Sequence, residues 1–154
     1  MVKIKTVDAV KGYNELKTLK LSTIDDDIML NIWRNIKTLR KVAEEYKKDI
    51  EDSRNAINDG EYDDMQQRLF RAKRREEEVK NGERVLTAEE IKDVDEINKY
   101  FAVYADKVKI FSKEIEEKEI DIDIVKISDE NFLKVLKANG KDFDFMEQFS
   151  WMLC

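Results

Sequence analysis

Residues 25–58 read DDDIMLNIWRNIKTLRKVAEEYKKDIEDSRNAIN. In this stretch Met29, Ile32, Ile36, Leu39, Ala43, Tyr46, Ile50, Ser53 and Ile57 recur at alternating steps of three and four. Such spacing is an a/d heptad seam, kept for about four heptads, and it predicts one helix from Asp25 to Asn58. At 1.5 Å per residue the helix would be ~50 Å long. Asp25, Asp26 and Asp27 fall in its first turn, where the helix macrodipole favours negative charge. Thr23, with Asp26 three residues later, resembles a capping box with Asp in place of Glu. Asn58-Asp59-Gly60 ends the helix, with Gly60 expected as its left-handed terminator.

A second stretch, Val94 to Ile115, repeats the signal through Val94, Ile97, Phe101, Tyr104, Val108, Phe111 and Ile115. Thr87 and Glu90 form a capping box ahead of it. Between the two lies a third, shorter helix, Tyr62 to Lys80, with a weaker seam of Tyr62, Met65, Leu69, Ala72 and Val79. Asn81-Gly82 closes it. The simplest arrangement is an antiparallel hairpin of the two long helices, with the third laid near its tip. Ala43 and Ser53 on one seam would face Phe101, Tyr104 and Phe111 on the other, small against large.

The ends of the chain change period. Val2 to Val7 alternates apolar and polar, with Lys3 and Lys5 outward, as a short strand does. Asp8 is expected to cap a helix through Lys20 that carries Val10, Tyr13, Leu16 and Leu19. Ile120 to Ile127 alternates again, now with Asp121 and Asp123 outward. Pairing these two strands sets lysines across from aspartates, which contributes a few tenths to ~1 kcal/mol per pair. Two strands alone are marginal, so helices must cover their apolar face. The tail supplies them. Ser128 caps Asp129 to Ala138, which bears Phe132, Leu133, Val135 and Leu136. Asn139-Gly140 turns, and Asp142 caps a last helix with Phe143, Met146, Phe149 and Met152. The expected fold is mainly α (α+β). A coiled-coil-like arm over 25–118 stands on a small base, 1–24 with 119–154, that holds a two-stranded sheet and short C-terminal helices. All of it forms one domain.

Composition agrees with long amphipathic helices. Charged residues make up 42% of the 154, far above the usual quarter, and regular apolar spacing argues against disorder. Pro is absent and there are only 4 Gly, so tight turns are few. The net charge of −6 marks an acidic protein and argues against a nucleic-acid backbone as the main partner. The single cysteine, Cys154, cannot form an internal disulfide, and a reducing compartment is the default. The start lacks a signal-peptide core, and no apolar run approaches the ~20 residues of a membrane span. The expectation is a soluble protein with no membrane partner.

Chemistry is poorly provided for. There is no His, which removes the commonest general base and metal ligand. No glycine-rich phosphate loop is present. Asp25-Asp26-Asp27, or Asp121 with Asp123, could meet Mg²⁺, yet a hard cation needs further oxygen ligands that are not signposted. Helix-dipole and strand-pairing roles explain these acids more cheaply. Nothing near Cys154 would lower its pKa. No cofactor, metal or catalytic residue is therefore assigned. The basic run Arg68-Leu69-Phe70-Arg71-Ala72-Lys73-Arg74-Arg75 could grip phosphates, with Phe70 stacking. Glu76, Glu77 and Glu78 follow at once, and Arg74 and Arg75 at i+4 and i+3 to Glu78 make a solvated helix face the plainer reading. A cationic helix is also a docking surface for an acidic protein. The candidate partner-binding residues are Arg68, Phe70, Arg71, Lys73, Arg74 and Arg75, with Trp33 as a further anchor. Trp33 follows the seam residue Ile32, so packing against the short first helix is the alternative.

Three segments carry a resemblance. They are Val7-Asp8-Ala9-Val10-Lys11-Gly12-Tyr13-Asn14-Glu15-Leu16, then Asn35-Ile36-Lys37-Thr38-Leu39 ahead of Glu44, Glu45 and Tyr46, and finally Glu119 to Ser128 with Phe145-Met146 near the end. With them the chain resembles a family of small proteins encoded by tailed bacteriophages. The resemblance brings no catalytic residues. It implies a phage-encoded, non-enzymatic protein in the host cytoplasm or the virion. Such a protein would serve assembly, or would bind and inhibit a host defence protein. The alternative is an acidic nucleic-acid mimic that blocks a host nucleic-acid-binding protein. A homo-oligomer is compatible with the seams, because heptad helices that do not satisfy each other pair across chains.

Overall fold

The structure is a computed structural model that describes residues 1–154. Six helices and one two-stranded sheet follow in the order β1 (Val2–Lys5), α1 (Thr6–Leu16), α2 (Asp26–Ile57), α3 (Gly60–Lys80), α4 (Ala88–Glu117), β2 (Glu119–Ile122), α5 (Asp129–Ala138) and α6 (Phe143–Glu147). The chain is mainly α with a small antiparallel sheet. Its contacts divide it into two units, one of residues 1–50 with 113–154 and one of residues 51–112. The boundary falls inside α2 and α4, so most of α2, up to Ile50, shares a unit with the strands.

In the first unit β1 and β2 pair antiparallel, with Lys3 opposite Asp121 and Lys5 opposite Glu119. Each lysine stands opposite an acid, but Asp123, expected on the outer face of the pairing strand, lies past the end of β2, and Glu119 takes the place opposite Lys5. Lys5 Nζ also reaches Glu117 at 3.1 Å. The first helix starts at Thr6, two residues before the expected cap at Asp8, and ends at Leu16. Thr6 causes the early start. Its backbone N–H and its Oγ1 both donate to Lys118 O, at 2.9 Å each, which ends the strand and opens the helix in one residue. α1 buries Ala9, Gly12 and Leu16 on one face. Gly12, which lacks a Cβ, lets it approach Trp151 and Phe149 closely.

α2 buries Ile28, Ile32, Asn35 and Leu39. The expected seam is therefore out of phase in the first turn, because Met29 is exposed and Ile28 takes the core position. Helix α2 starts at Asp26, which leaves Thr23 two residues short of the cap position. The core joins these side chains to Ile4, Ile122, Ile127, Phe132, Val135, Leu136, Phe145, Phe149 and Met152. Phe149 lies at its centre, with ring centroids 5.5 Å from Phe132, 5.2 Å from Phe145 and 5.9 Å from Trp151. Each such buried aromatic contributes about 2–3 kcal/mol by removing apolar surface from water. Ser128 and Asp142 cap α5 and α6 as expected. The last helix stops at Glu147, and turns beyond it carry Phe149 and Met152 inward. The end of the chain is tied down as Cys154 N–H donates to Ile127 O at 3.0 Å.

Two asparagines act as rungs between segments far apart in sequence. Asn35 Nδ2 donates to Val125 O at 2.8 Å, and its Oδ1 accepts from Val125 N at 2.7 Å. Asn139 does the same to Lys20, accepting from N at 2.7 Å and donating to O at 3.0 Å. Each amide imitates the hydrogen bonds of a neighbouring strand. The last turns of α4 also lie beside α2 in this unit, where Tyr46 donates to Glu116 at 2.9 Å.

In the second unit α3 runs antiparallel along α4, so that Tyr62 meets Phe101 and Tyr104 while Arg75 meets Glu90. Gly60 is not a left-handed terminator, because positive φ occurs only at Gly82 and Gly140. Asp59 is extended and its side chain accepts from Tyr62 N, which makes Gly60 the first residue of α3. The expected seam of α4 is half-buried along its length, and Ile97 alone is fully buried.

Candidate functional site

The inner face of the α3–α4 pair is a ladder of ion pairs. Arg68 and Arg75 stand two turns apart on α3, on the side that faces α4. Arg68 Nε donates to Asp93 at 2.9 Å, and its Nη2 reaches both Asp93 and, at 2.8 Å, Glu96. Arg75 Nη2 meets Asp93 at 2.9 Å and its Nη1 meets Glu90 at 3.3 Å. Arg84 adds a further contact to Glu90, and one to Glu78 at 3.5 Å. Glu90 also closes the capping box: it accepts from Thr87 N at 3.1 Å and its own N–H reaches Thr87 Oγ1 at 3.2 Å.

These contacts set the local charge states. Hydrogen bonds from Arg68 and Arg75 hold the Asp93 carboxyl below its ordinary value. The Thr87 backbone N–H, then its hydroxyl and Arg84, lower Glu90. Both arginines are correspondingly raised, Arg68 by Glu96 and Asp93, Arg75 by Asp93 and Glu90. Arg75 Nε is sealed from solvent without a partner. Its terminal nitrogens are both engaged, so the guanidinium is fixed by two of its three nitrogens.

The basic run of α3 is therefore split between two faces. Arg68 and Arg75 turn to α4, while Phe70, Arg71, Lys73 and Arg74 remain at the surface. Phe70 is 65% exposed. The expected intrahelical pairing of Arg75 with Glu78 gives way to interhelical pairs, and Glu78 takes Arg84. Trp33, in the first unit, is 51% exposed and is not among the side chains packed on the core. The Lys37 ammonium lies 5.5 Å from its ring centroid, one helical turn on.

No family model, curated protein or solved structure matches this chain. The site must be read from its own geometry.

A groove of about 640 Å³ opens where α2 hands over to α3, against the middle of α4. Its apolar wall is Ile57, Met65 and Val103, and Tyr100 and Tyr104 line it with Asp59 and Glu61. Tyr104 packs on Tyr62 at 4.7 Å between centroids and donates to Asn58 Oδ1 at 2.8 Å. Burial pushes the Tyr100 phenol up, helped by the charges of Asp59 and Glu61 and by a hydrogen bond with Asp59. Burial, then the neighbouring Tyr62, raises Tyr104. Sequence reasoning placed Tyr104 and Tyr62 on seams but missed Tyr100, Asp59 and Glu61. The one available signal was the aromatic pair Tyr100-Phe101, whose first member is off the seam.

Neither expected acid pair gathers into a cation site. No group of three or more carboxylate or thiol side chains converges anywhere in the chain. Asp25 lies 3.8 Å from Lys134, and Asp121 pairs across the sheet with Lys3. No helix is long and apolar enough to cross a membrane.

Proposed function

We propose that the protein is a non-enzymatic interaction protein, encoded by a phage, that docks an acidic protein partner on the outer face of α3. The supporting observation is the split of the basic run. α4 neutralises Arg68 and Arg75, while Phe70 stands in water ringed by Arg71, Lys73 and Arg74. An exposed aromatic among cations combines a desolvating anchor with charges that steer an acidic partner. The partner is a host protein, such as a defence protein that is thereby inhibited, or a phage component met during assembly. The mimic reading asks for unpaired carboxylates on one side. Glu90, Asp93, Glu96 and Asp121 each face a cation, which favours the docking reading.

The test is a pull-down from bacterial lysate, before and after phage infection, with the wild-type chain and the triple variant F70S/R71E/R74E. A protein captured by the wild type and lost with the variant is the expected result. Recovery before infection assigns a host target, and recovery only afterwards assigns assembly. Equal recovery by both chains would remove the α3 face from the argument.

A further inference from the structure

The outer face of α2 in the first unit has no part in the core or in the docking face on α3. At steps of four and three it presents Asp26, Leu30, Trp33, Lys37 and Arg40, all exposed. Trp33 is 51% and Leu30 41% exposed, and Met29 lies beside them. This is a second heptad-spaced stripe, on the side of the helix away from Ile28, Ile32 and Leu39, and its apolar part is flanked by charge. We propose that it is covered by the same stripe of a second copy of the chain. The product is an antiparallel homodimer in which Leu30 of each copy packs on Trp33 of the other.

Charge order selects this occupant. Asp26 and Asp27 stand at one end of the stripe, and Arg34, Lys37, Arg40 and Lys41 at the other, with no acid between Asp27 and Glu44. None of these six groups is in an ion pair within the chain, and the neighbouring Asp25–Lys134 contact uses other residues. A parallel pair of stripes would set Asp26 beside Asp26 and Lys37 beside Lys37. An antiparallel pair, about a two-fold axis between residues 31 and 32, sets Asp26 opposite Lys37 and Leu30 opposite Trp33, each twice. The order acid, apolar, apolar, cation is therefore complementary to its own reverse. An extended polyanion, nucleic acid or anionic membrane, would be repelled by Asp26 and Asp27 at one end and by Glu44 and Glu45 at the other. Trp33 is the residue type that most often anchors an interface, and the Lys37 ammonium, 5.5 Å from its ring centroid, helps to fix it on this face. The paired stretch is roughly three turns of each helix, ~17 Å. A contact of that length is below the standard interface size, and a Kd of about 10–100 µM is expected.

The experiment is sedimentation equilibrium of the full chain from about 5 to 500 µM, where the wild type should pass from monomer to dimer. D26K and K37D each turn both cross pairs into like charges and should weaken the dimer about tenfold. Mixing the two variants in equal amounts should restore association to within about threefold of wild type, because both cross pairs of the mixed dimer are again opposite in sign. Both positions are exposed, and circular dichroism of each variant alone checks that α2 is intact. Recovery in the mixture cannot come from refolding, since neither chain changes in sequence. Trp33→Ser should also weaken the dimer about tenfold, and F70S/R71E/R74E should leave it unchanged, which separates this face from the one on α3. A wild type that stays monomeric at 500 µM overturns the proposal. So does self-association that D26K and K37D leave undiminished, or a mixture no tighter than either variant by itself.

Discussion

Replacing Asn35 by Leu tests whether the buried amide holds the core of the first unit together. Asn35 is 1% exposed and makes both of its hydrogen bonds to the backbone of one residue, Val125. Leucine has the same branched outline, with bulkier methyl groups, but bonds to neither. Two hydrogen bonds are lost, and Val125 N–H and C=O are left unpaired in a half-buried place. Stranded groups of this kind cost about 1–3 kcal/mol each, or roughly 2–5 together. Extra apolar burial by leucine returns about 1–2 kcal/mol. The net expectation is a loss of about 1–3 kcal/mol. For a chain of this size that lowers Tm by about 3–10 °C. Urea unfolding followed by far-ultraviolet circular dichroism measures it directly.

Asn35→Asp adds a sign to the test. A carboxylate at this position accepts from Val125 N but confronts Val125 O, so burial and repulsion raise its native pKa above the unfolded value. The penalty then operates at neutral pH and is relieved as pH falls, because a protonated carboxyl can donate to Val125 O. Measured against wild type at each pH, N35D should be less stable than N35L at pH 7 and recover toward wild type near pH 4. An N35L chain within about 0.5 kcal/mol of wild type, or an N35D deficit that does not change with pH, would refute the reasoning.

Two further outcomes follow from packing and from the ion-pair ladder. Gly12→Ala places a Cβ 2.9 Å from the Trp151 ring, in a space the α1 helix shares with Phe149. It should cost about 1–3 kcal/mol, and tryptophan fluorescence in a Trp33→Phe background should shift to the red. Asp93 and Glu90 have depressed native pKa values, so their contribution is present above the ordinary carboxylate range, about pH 4–5, and is lost as pH falls through the native values. Amides of α3 and the first half of α4 should therefore lose hydrogen-exchange protection relative to the first unit between pH 5 and pH 3, and Asp93→Asn should remove most of that pH dependence.

Local rules made the helices legible. The heptad spacing of Ile97 through Ile115, the Thr87–Glu90 box, and the caps at Ser128 and Asp142 all operate within one or two turns of chain. The strands were legible for a different reason: alternation marks a two-faced strand wherever its partner is, and complementary charges then joined the two across more than a hundred residues. What failed was whatever depended on a distant neighbour. Arg75 has an acid at i+3, yet α4 presents two acids at once, and the interhelical pair wins. Gly60 looked like a helix stop because glycine serves both ends of helices. The deciding residue was Asp59, whose carboxylate serves the helix that follows. The groove was hidden because its lining comes from three helices at a register that no seam specifies.

The phase of α2 is the instructive case. Both Ile28 and Met29 are apolar, and either can begin a seam that continues through Ile32 and Leu39. Choosing Met29 places Ile36 inside and leaves Asn35 to solvent, which is where hydropathy alone would put an asparagine. Choosing Ile28 turns the helix so that 28, 32, 35 and 39 share the buried face. That phase buries an amide, and it is tolerable only because Val125 presents an N–H and a C=O at bonding distance. Asn35 thus separates two phases that apolar contacts alone distinguish weakly. In the Met29 phase Val125 goes unpaired and Ile28 is wetted; in the observed one both are satisfied. A buried polar residue then contributes more to uniqueness than to gross stability. On that argument N35L would lose more in native-state order than in free energy, with broadened amide signals along the first turns of α2.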